Sequence, residues 1–257
     1  MIFPLLVDLA EGRGHWPIFL ESAAITFGFG VLLALACSNG LKKGLSIQQT
    51  FLLTTGVWLA LPLFGALPFS FGETDARYID GFFEAMSGLT TTGATVFTGL
   101  ETLPKGLLLW RGILQWFGGI GIIVVAMVFL PELRVGGMQI FKAEAFDTLG
   151  KILPKATTIA MQISVIYLSI TMLCIAAYFA VGMSAFDATV HAMTTVATGG
   201  FSNYDASFGA FSAGAEYVCV VFMLLAALPF VRYVQLINGS FFAMAKDVQV
   251  KSFLLIV

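Results

Sequence analysis

The sequence predicts an all-α membrane protein built from tandem parallel repeats of a helix, a re-entrant loop and a helix. The composition is the first reason, because the 257 residues are 58% hydrophobic and only 11% charged, whereas soluble domains are about a quarter charged. The second reason is a set of charge-free windows that reach the ~20 residues a helix needs to cross a bilayer. The third is a threonine- and glycine-rich segment that occurs twice, each time after such a window.

Five membrane-spanning helices are expected along the chain. They are placed near 17–37, 47–69, 106–131, 158–182 and 214–237. The fifth is long enough only if Arg232 snorkels its guanidinium toward the membrane interface, so that the helix continues to about Ile237. The residues from Ser252 to Val257 are mostly apolar and are expected to open a further span that is cut short.

Charge sorts these helices across the membrane and divides the chain into segments. Most of the 13 lysines and arginines lie in the connectors 38–46, 132–157 and 238–251, which the positive-inside rule assigns to the cytoplasm. The opposite, acidic side is expected to attract cations. The expected segments are an N-terminal stub with the first membrane helix (1–46), a first repeat (47–131), a cytoplasmic connector (132–157), a second repeat (158–237), and a cytoplasmic loop leading into a truncated span (238–257).

An internal repeat underlies this organisation, because two stretches match at a constant offset. Asp80 aligns with Asp187, and Gly93 aligns with Gly200. Two membrane crossings lie between the copies, so both loops face the same side, unlike those of an inverted repeat. In each copy an amphipathic helix of about ten residues opens on the aspartate, at the position of an N-cap, and runs into the polar segment.

The two polar segments have the composition of an ion filter. A helix of about ten residues cannot span a membrane, so the chain must return with carbonyls exposed at membrane depth, which is tolerated only beside a water-filled path. Glycine permits the backbone conformations that this requires, and threonine adds uncharged oxygens. Rings of such oxygens replace the hydration shell of a monovalent cation. The candidate segments are Thr90 to Thr95 and Ala197 to Phe201.

Four longer stretches narrow the interpretation further. They are FFEAMSGLTTTGAT (82–95), LQWFGGIGIIV (114–124), VGGMQIFKAE (135–144) and FDATVHAMTTVATGGFS (186–202). In this order they resemble the first pore loop, the following helix, the cytoplasmic connector and the second pore loop of the TrkH/KtrB superfamily of potassium transporters, and of its TrkH branch in particular. The resemblance covers roughly residues 17–237.

The resemblance implies a potassium-channel-like pore, in which four repeats of one chain surround a single axial filter. It implies uptake of K⁺ across the bacterial inner membrane, with K⁺ as the transported ion and no covalently bound cofactor. It also implies a homodimer in the lipid membrane and a cytosolic, TrkA-like nucleotide-binding ring on the inner face. The matching filter positions are Thr91, Thr92, Gly93, Ala197, Thr198, Gly199 and Gly200, with K⁺ contacts expected at Thr91, Thr92, Ala197 and Thr198.

Only two of the four repeats are present, so the chain is expected to be the N-terminal half of a longer protein, unless several chains complete the ring. The leading function is potassium uptake. The alternatives are a non-transporting assembly or regulatory remnant of such a transporter, and a sodium-permeable relative. A membrane enzyme lacks support, because no catalytic cluster or metal-ligand spacing occurs within the spans. Nucleic-acid binding is excluded, because no basic run is longer than two residues.

Several polar residues of the repeats have both structural and functional interpretations. Asp80 and Asp187 could hold cations at the vestibule, but capping of the pore helices explains them and is favoured. Glu84 and His191 occupy the same repeat position, where the half-exposed polar face of a short helix accounts for both. Arg111 either pairs with Glu84 or another acidic residue at the mouth, or snorkels at the outer end of its span.

Overall fold

A computed structural model describes residues 1–12, 14–38, 47–72, 74–129, 156–240 and 242–257. Within these ranges the chain forms helices and connecting loops without any β-strand, which confirms the predicted all-α class. The helices are α1 (Ile2–Glu11), α2 (Trp16–Cys37), α3 (Ile47–Gly65), α4 (Leu67–Phe71), α5 (Tyr78–Leu89), α6 (Lys105–Phe129), α7 (Ala156–Ala180), α8 (Ala185–Val196), α9 (Ala213–Ala227), α10 (Phe230–Ile237), α11 (Phe242–Lys246) and α12 (Val248–Ile256). The predicted connectors 38–46 and 132–157 lie largely outside the described residues.

Among the described residues, three helical stretches are long and apolar enough to cross a membrane: Trp16–Cys37, Phe51–Phe71 and Ala160–Ala180. Helix α6 has 25 residues, which corresponds to a length of about 38 Å. The first four predicted membrane helices therefore form helices close to their expected positions.

The fifth predicted helix is wrong as a continuous span over 214–237. Helices α9 and α10 are bent by 82° relative to each other, because Leu228 precedes Pro229 and takes an extended conformation with ψ 147°. Nε of Arg232 in α10 donates to the carboxylate of Asp247, which is the N-cap of α12.

A second break separates α3 from α4. It frees a backbone carbonyl, which accepts a hydrogen bond from another helix. Pro68 has no N–H and stands in the first turn of α4, so the hydrogen-bond ladder is interrupted there. The carbonyl of Gly65 at the end of α3 accepts instead from the indole Nε1 of Trp110 on α6, at 2.9 Å. The break is therefore fixed by α6.

Helix α6 is the centre of the fold. It packs against α1, α5, α7 and α8, so it contacts both short helices of the repeat. One apolar cluster surrounds α5 and the outer half of α6, and a second surrounds α7, α8 and α10. Both loops that follow the short helices are consequently held against the same helix.

Candidate functional site

The two short helices begin in equivalent ways. Each has 12 residues, and their N-caps are Arg77 and Ser184. Asp80 and Asp187 therefore lie at N3, and their predicted placement at the N-cap is wrong, because an N-cap needs the extended backbone that Arg77 and Ser184 adopt. At N3 the Asp80 carboxylate accepts the N–H of Arg77 at 3.2 Å, and that of Asp187 accepts from the Ser184 hydroxyl at 2.7 Å.

Asp187 also joins its helix to the chain that returns after the loop. Its carboxylate accepts from Nδ2 of Asn203 at 2.9 Å and from the hydroxyl of Tyr204 at 3.3 Å. Within the part of the chain that the structure describes, Asp80 makes no such bond, and its Oδ atoms are held by the guanidinium of Arg77. The hydrogen bonds from Arg77 lower the pKa of Asp80, so this carboxyl is ionised at neutral pH.

We call residues 90–96 the first loop and residues 197–203 the second loop. Both open with the same Schellman motif, in which two N–H groups close back onto the last turn of the helix. In the first loop Thr91 donates to the Gly88 carbonyl and Thr92 to the Ser87 carbonyl, both at 2.9 Å. The equivalent bonds of the second loop run from Thr198 to Thr195 and from Gly199 to Thr194, also at 2.9 Å.

The backbone of both loops turns left-handed at alternate residues. Thr91 and Thr198 have φ of 54° and 53°, and Gly93 and Gly200 have φ of 77° and 82°. Glycine adopts this conformation freely, but for a β-branched threonine it is an outlier that costs of order 1–3 kcal/mol and persists only where the surroundings impose it. Such strain at matching positions of two loops is typical of a functional site.

The two loops meet at a point where side chains have no room. A Cβ added to Gly93 would overlap the carbonyl oxygen of Gly199. Gly200 faces open space, so its requirement for glycine comes from its backbone conformation alone. Residues that are far apart in the sequence thus bring two glycine-containing segments into backbone contact.

The remaining predicted ion-binding residues lie along the same segments. Thr91 is half-buried, whereas Thr92 and Thr198 are exposed. The hydroxyl of Thr92 bonds that of Thr90 at 2.8 Å, and the hydroxyl of Thr198 donates to the carbonyl of Ala197 at 2.7 Å. Since α5 and α8 both end at these segments, the negative ends of two helix dipoles lie beside them and favour a cation there.

Behind the first loop lies a buried ion pair. Nε of Arg111 on α6 donates to Oε1 of Glu84 on α5 at 2.7 Å, and the two side chains are 1% and 0% exposed. Glu84 also accepts from the hydroxyl of Thr95 and from the N–H of Val96. Arg111 therefore pairs rather than snorkels, and the expectation that Glu84 is half-exposed is wrong, because its helix turns its polar face toward the returning loop instead of toward water.

The same arginine reaches the second loop. Its Nη1 donates to the carbonyl of Ser202 at 2.6 Å, and its guanidinium lies 4.2 Å from the centroid of the Phe201 ring. At the repeat position of Glu84, His191 is fully buried as well, and its Nε2 is 3.1 Å from the hydroxyl of Ser202. In both repeats the helix thus bonds the hydroxyl residue of its own returning segment, Thr95 or Ser202.

A second polar residue of α6 was missed by the sequence analysis. Gln115 is fully buried, and its Oε1 accepts the N–H of Phe201 in the second loop at 3.1 Å. The signal was present, because Arg111 and Gln115 lie four residues apart within an apolar span and therefore on one face of the helix.

The outer ends of the two repeats are tied by Asp205. Its carboxylate accepts the N–H groups of Gly99 at 2.7 Å and Leu100 at 3.1 Å, and its own N–H donates to Glu101. The bonds from Gly99 and Leu100 lower the pKa of Asp205. Nowhere in the described ranges do three or more His, Cys, Asp or Glu side chains form a group that could hold a metal ion.

Comparison with known proteins identifies the family of the chain. The family model TrkH, described as cation transport protein, matches residues 15–256. The chain belongs to the TrkH family. Its members are transport proteins, which confirms the prediction that the chain is not an enzyme. The chain is a multi-pass protein of the inner membrane.

Individual TrkH-family proteins resemble the chain throughout its length. The Trk system potassium uptake protein TrkI of Halomonas elongata is 41% identical over 265 residues, which cover 100% of this chain and 52% of that protein. The Trk system potassium uptake protein TrkH of Escherichia coli K12 is 40% identical over 244 residues, which cover 93% and 50%. The chain thus spans about half the length of the curated relatives it matches.

A solved structure agrees with the fold. The crystal structure of the potassium transporter TrkH from Vibrio parahaemolyticus superimposes with a TM-score of 0.84 at 34% sequence identity, covering 99% of this chain and 52% of that one. The helical architecture and the resemblance to the TrkH family expected from the sequence are therefore confirmed.

Proposed function

We propose that this chain is a pore-forming part of a TrkH-type potassium uptake system, in which the first and second loops are two walls of a carbonyl-lined filter. The observation that carries the proposal is the repeated backbone, left-handed at Thr91 and Gly93 and again at Thr198 and Gly200. Successive carbonyls of such a backbone can line one path, and oxygen ligands of this kind replace the water shell of K⁺.

The surroundings of the loops support a cation. Glu84, which lies behind the first loop, is already paired with Arg111. In the proposed pore the ion is bound by backbone carbonyls and threonine hydroxyls of the segments Thr91 to Gly93 and Ala197 to Gly200. Asp80 and Asp187 primarily stabilise the helix N-termini, and they also favour cations at the outer mouth.

The proposed partners are those that the resemblance to the TrkH family implies. We propose that the pore works as a homodimer in the lipid membrane with a cytosolic TrkA-like nucleotide-binding ring, and that the remaining walls of the filter come from equivalent repeats of the complete transporter. Co-purification of the chain, in its complete reading frame, with a TrkA-like protein from the same organism tests this assembly.

The filter is tested by rubidium uptake into a bacterium that lacks its own potassium importers and expresses the complete reading frame. Gly200→Asp should abolish uptake, because it places a side chain on a left-handed residue of the filter. Gly182→Asp is the matched control, since Gly182 also has a positive φ of 96° and open space around it, but lies between α7 and α8. Normal uptake by Gly200→Asp at equal membrane abundance would refute the filter assignment.

A parallel assay on residues 1–257 alone asks how the pore is completed. Uptake by the complete frame only would mean that further repeats supply the missing walls. Uptake by residues 1–257 would mean that several copies close the ring. The absence of uptake in both, despite insertion and a supplied TrkA-like partner, would favour a non-transporting remnant.

A further inference from the structure

We propose that Gln115 is a positioning residue that sets the ion selectivity of the pore by fixing the second loop against the first. This inference rests on the proposed function, because selectivity has meaning only if the loops form a filter. The residue belongs to α6 of the first repeat, but its side chain lies against the second loop. It therefore acts between the repeats rather than within one.

The first contact is a hydrogen bond to the residue that follows Gly200 in the second loop. Oε1 of Gln115 accepts the N–H of Phe201 at 3.1 Å, and Phe201 directly follows the left-handed Gly200. Fixing this N–H fixes where the second loop leaves the filter. An apolar side chain of similar size would fill the space but leave a buried N–H without a partner, which is unfavourable.

The second contact is steric and involves both loops. A Cβ added to Gly199 would come within 2.6 Å of Nε2 and Oε1 of Gln115, so the amide lies directly against the Gly199 backbone. The same Nε2 is 3.7 Å from the position where a Cβ of Gly93 would project. One side chain thus touches the place where Gly93 and Gly199 approach each other, and its plane limits how far the two backbones can shift.

The amide nitrogen makes the site unusual. Nε2 of Gln115 is buried and has no hydrogen-bond partner among the described residues. Gln115 therefore contributes its acceptor oxygen and its shape and leaves its amide donor unpaired. This asymmetry separates the two halves of the side chain experimentally, because glutamate keeps the oxygen that Phe201 needs and replaces the unpaired amide nitrogen with a second oxygen.

The corresponding helix of the second repeat carries no such group. By the constant offset of the repeat, Phe222 on α9 is equivalent to Gln115, and it packs against the apolar cluster of α7 and α8. The inter-repeat contact of Gln115 is thus a specific feature of α6 and not a general property of the repeat.

Selectivity depends on this contact because an oxygen cage discriminates between ions through its size or through the number and field strength of its oxygens. The account by size requires that the Gly199 and Gly200 carbonyls hold their positions, and the account by number and field strength requires that the same oxygens stay around the ion. Without the bond to Phe201 the second loop can move toward a smaller ion, and the filter should then admit Na⁺.

The experiment compares Gln115→Leu, Gln115→Glu and the control Gln162→Leu, all in the complete reading frame with its TrkA-like partner. Gln162 is a glutamine of the membrane helix α7 with a buried Oε1 that has no partner in the described ranges, so it matches the residue type. Uptake of rubidium and sodium is measured in the importer-deficient bacterium. Hydrogen exchange of the peptide containing Phe201 is measured on the purified protein.

We expect Gln115→Leu to lower the ratio of rubidium to sodium uptake about tenfold and to speed exchange at Phe201 by about tenfold, as expected for one lost buried hydrogen bond. Gln115→Glu should retain the protection of Phe201 and a ratio closer to that of the wild type, and Gln162→Leu should change neither. Slow exchange at Phe201 in Gln115→Leu would refute the contact itself.

Two further outcomes can be distinguished from slow exchange at Phe201 in Gln115→Leu. Fast exchange with an unchanged uptake ratio would refute the role in selectivity while leaving the contact in place. A wild-type protein that takes up neither ion would refute the proposed function, and with it the claim about selectivity.

Discussion

The buried pair of Glu84 and Arg111 offers the sharpest test of how the two loops are held. In Glu84→Ala the guanidinium of Arg111 loses its charge partner and keeps only the neutral carbonyl of Ser202. The hydroxyl of Thr95 and the N–H of Val96 lose their acceptor as well. Removing one partner of a buried pair costs about 3–5 kcal/mol, so the free energy of unfolding should fall by about that amount.

The reasoning is tested by a double-mutant cycle. Arg111→Met alone should also be costly, because it leaves the Glu84 carboxylate buried without a cation. Replacing both residues, as Glu84→Ala with Arg111→Met, removes both charges and should cost less than the sum of the single changes, with a coupling of about 2–3 kcal/mol. The assay is reversible unfolding of the purified protein in mixed micelles, followed by circular dichroism.

The control is Arg77→Gln, which breaks the pair of Arg77 with Asp80. There the arginine side chain is 80% exposed, and exposed pairs contribute little to stability, so the unfolding midpoint should stay near that of the wild type. Additivity of the two single changes within about 0.5 kcal/mol would refute the idea that Glu84 and Arg111 act as one buried unit.

Three further predictions follow from the same contacts. Thr91→Gly should stabilise the protein by about 1 kcal/mol by relieving the left-handed threonine, measured as a higher midpoint of thermal unfolding, and a lower midpoint would contradict the strain. Because hydrogen bonds lower the pKa of Asp205, its link to Gly99 should persist at neutral pH and be lost as the pH falls through that lowered value. The NMR shift of the Gly99 amide should titrate below the ordinary range of aspartate, and Asp205→Asn should abolish the titration. Asp8→Ala should cost about 1–2 kcal/mol, since the buried Asp8 carboxylate accepts the N–H of Gly106 at 2.6 Å in the first turn of α6, and unchanged denaturant unfolding would refute this capping role.

The sequence was most informative where backbone conformation repeats. The alignment of Gly93 with Gly200 predicted two equivalent loops, and the structure gives both residues a positive φ. Charge-free windows also located the helices, because membrane spans need only length and apolarity. The misplaced aspartates show the limit of this approach, since Asp80 and Asp187 are good N-cap residues by type, but the helices begin three positions earlier.

Other features depended on three-dimensional neighbours that the sequence did not specify. Glu84 was expected on a half-exposed face because amphipathic helices usually turn their polar side to water, yet here that side faces the returning loop. Gln115 was overlooked within an apolar run, although its spacing from Arg111 puts both on one face. The bend at Pro229 had a local signal, because the residue before a proline avoids the helical region, but the span was placed from its apolar window and the expected snorkelling of Arg232 alone.

The two repeats share the same loop backbone but support it with different side chains. Their left-handed residues agree within a few degrees, while the residue that bonds the returning segment is Glu84 in one copy and His191 in the other. A carboxylate is tolerable in the first copy because it pairs with Arg111, and an imidazole suffices in the second, where the rings of Phe208 and Phe211 pack against it. The geometry of the two loops is thus a property of the repeated backbone, whereas each supporting side chain is matched to the particular neighbour that its loop meets.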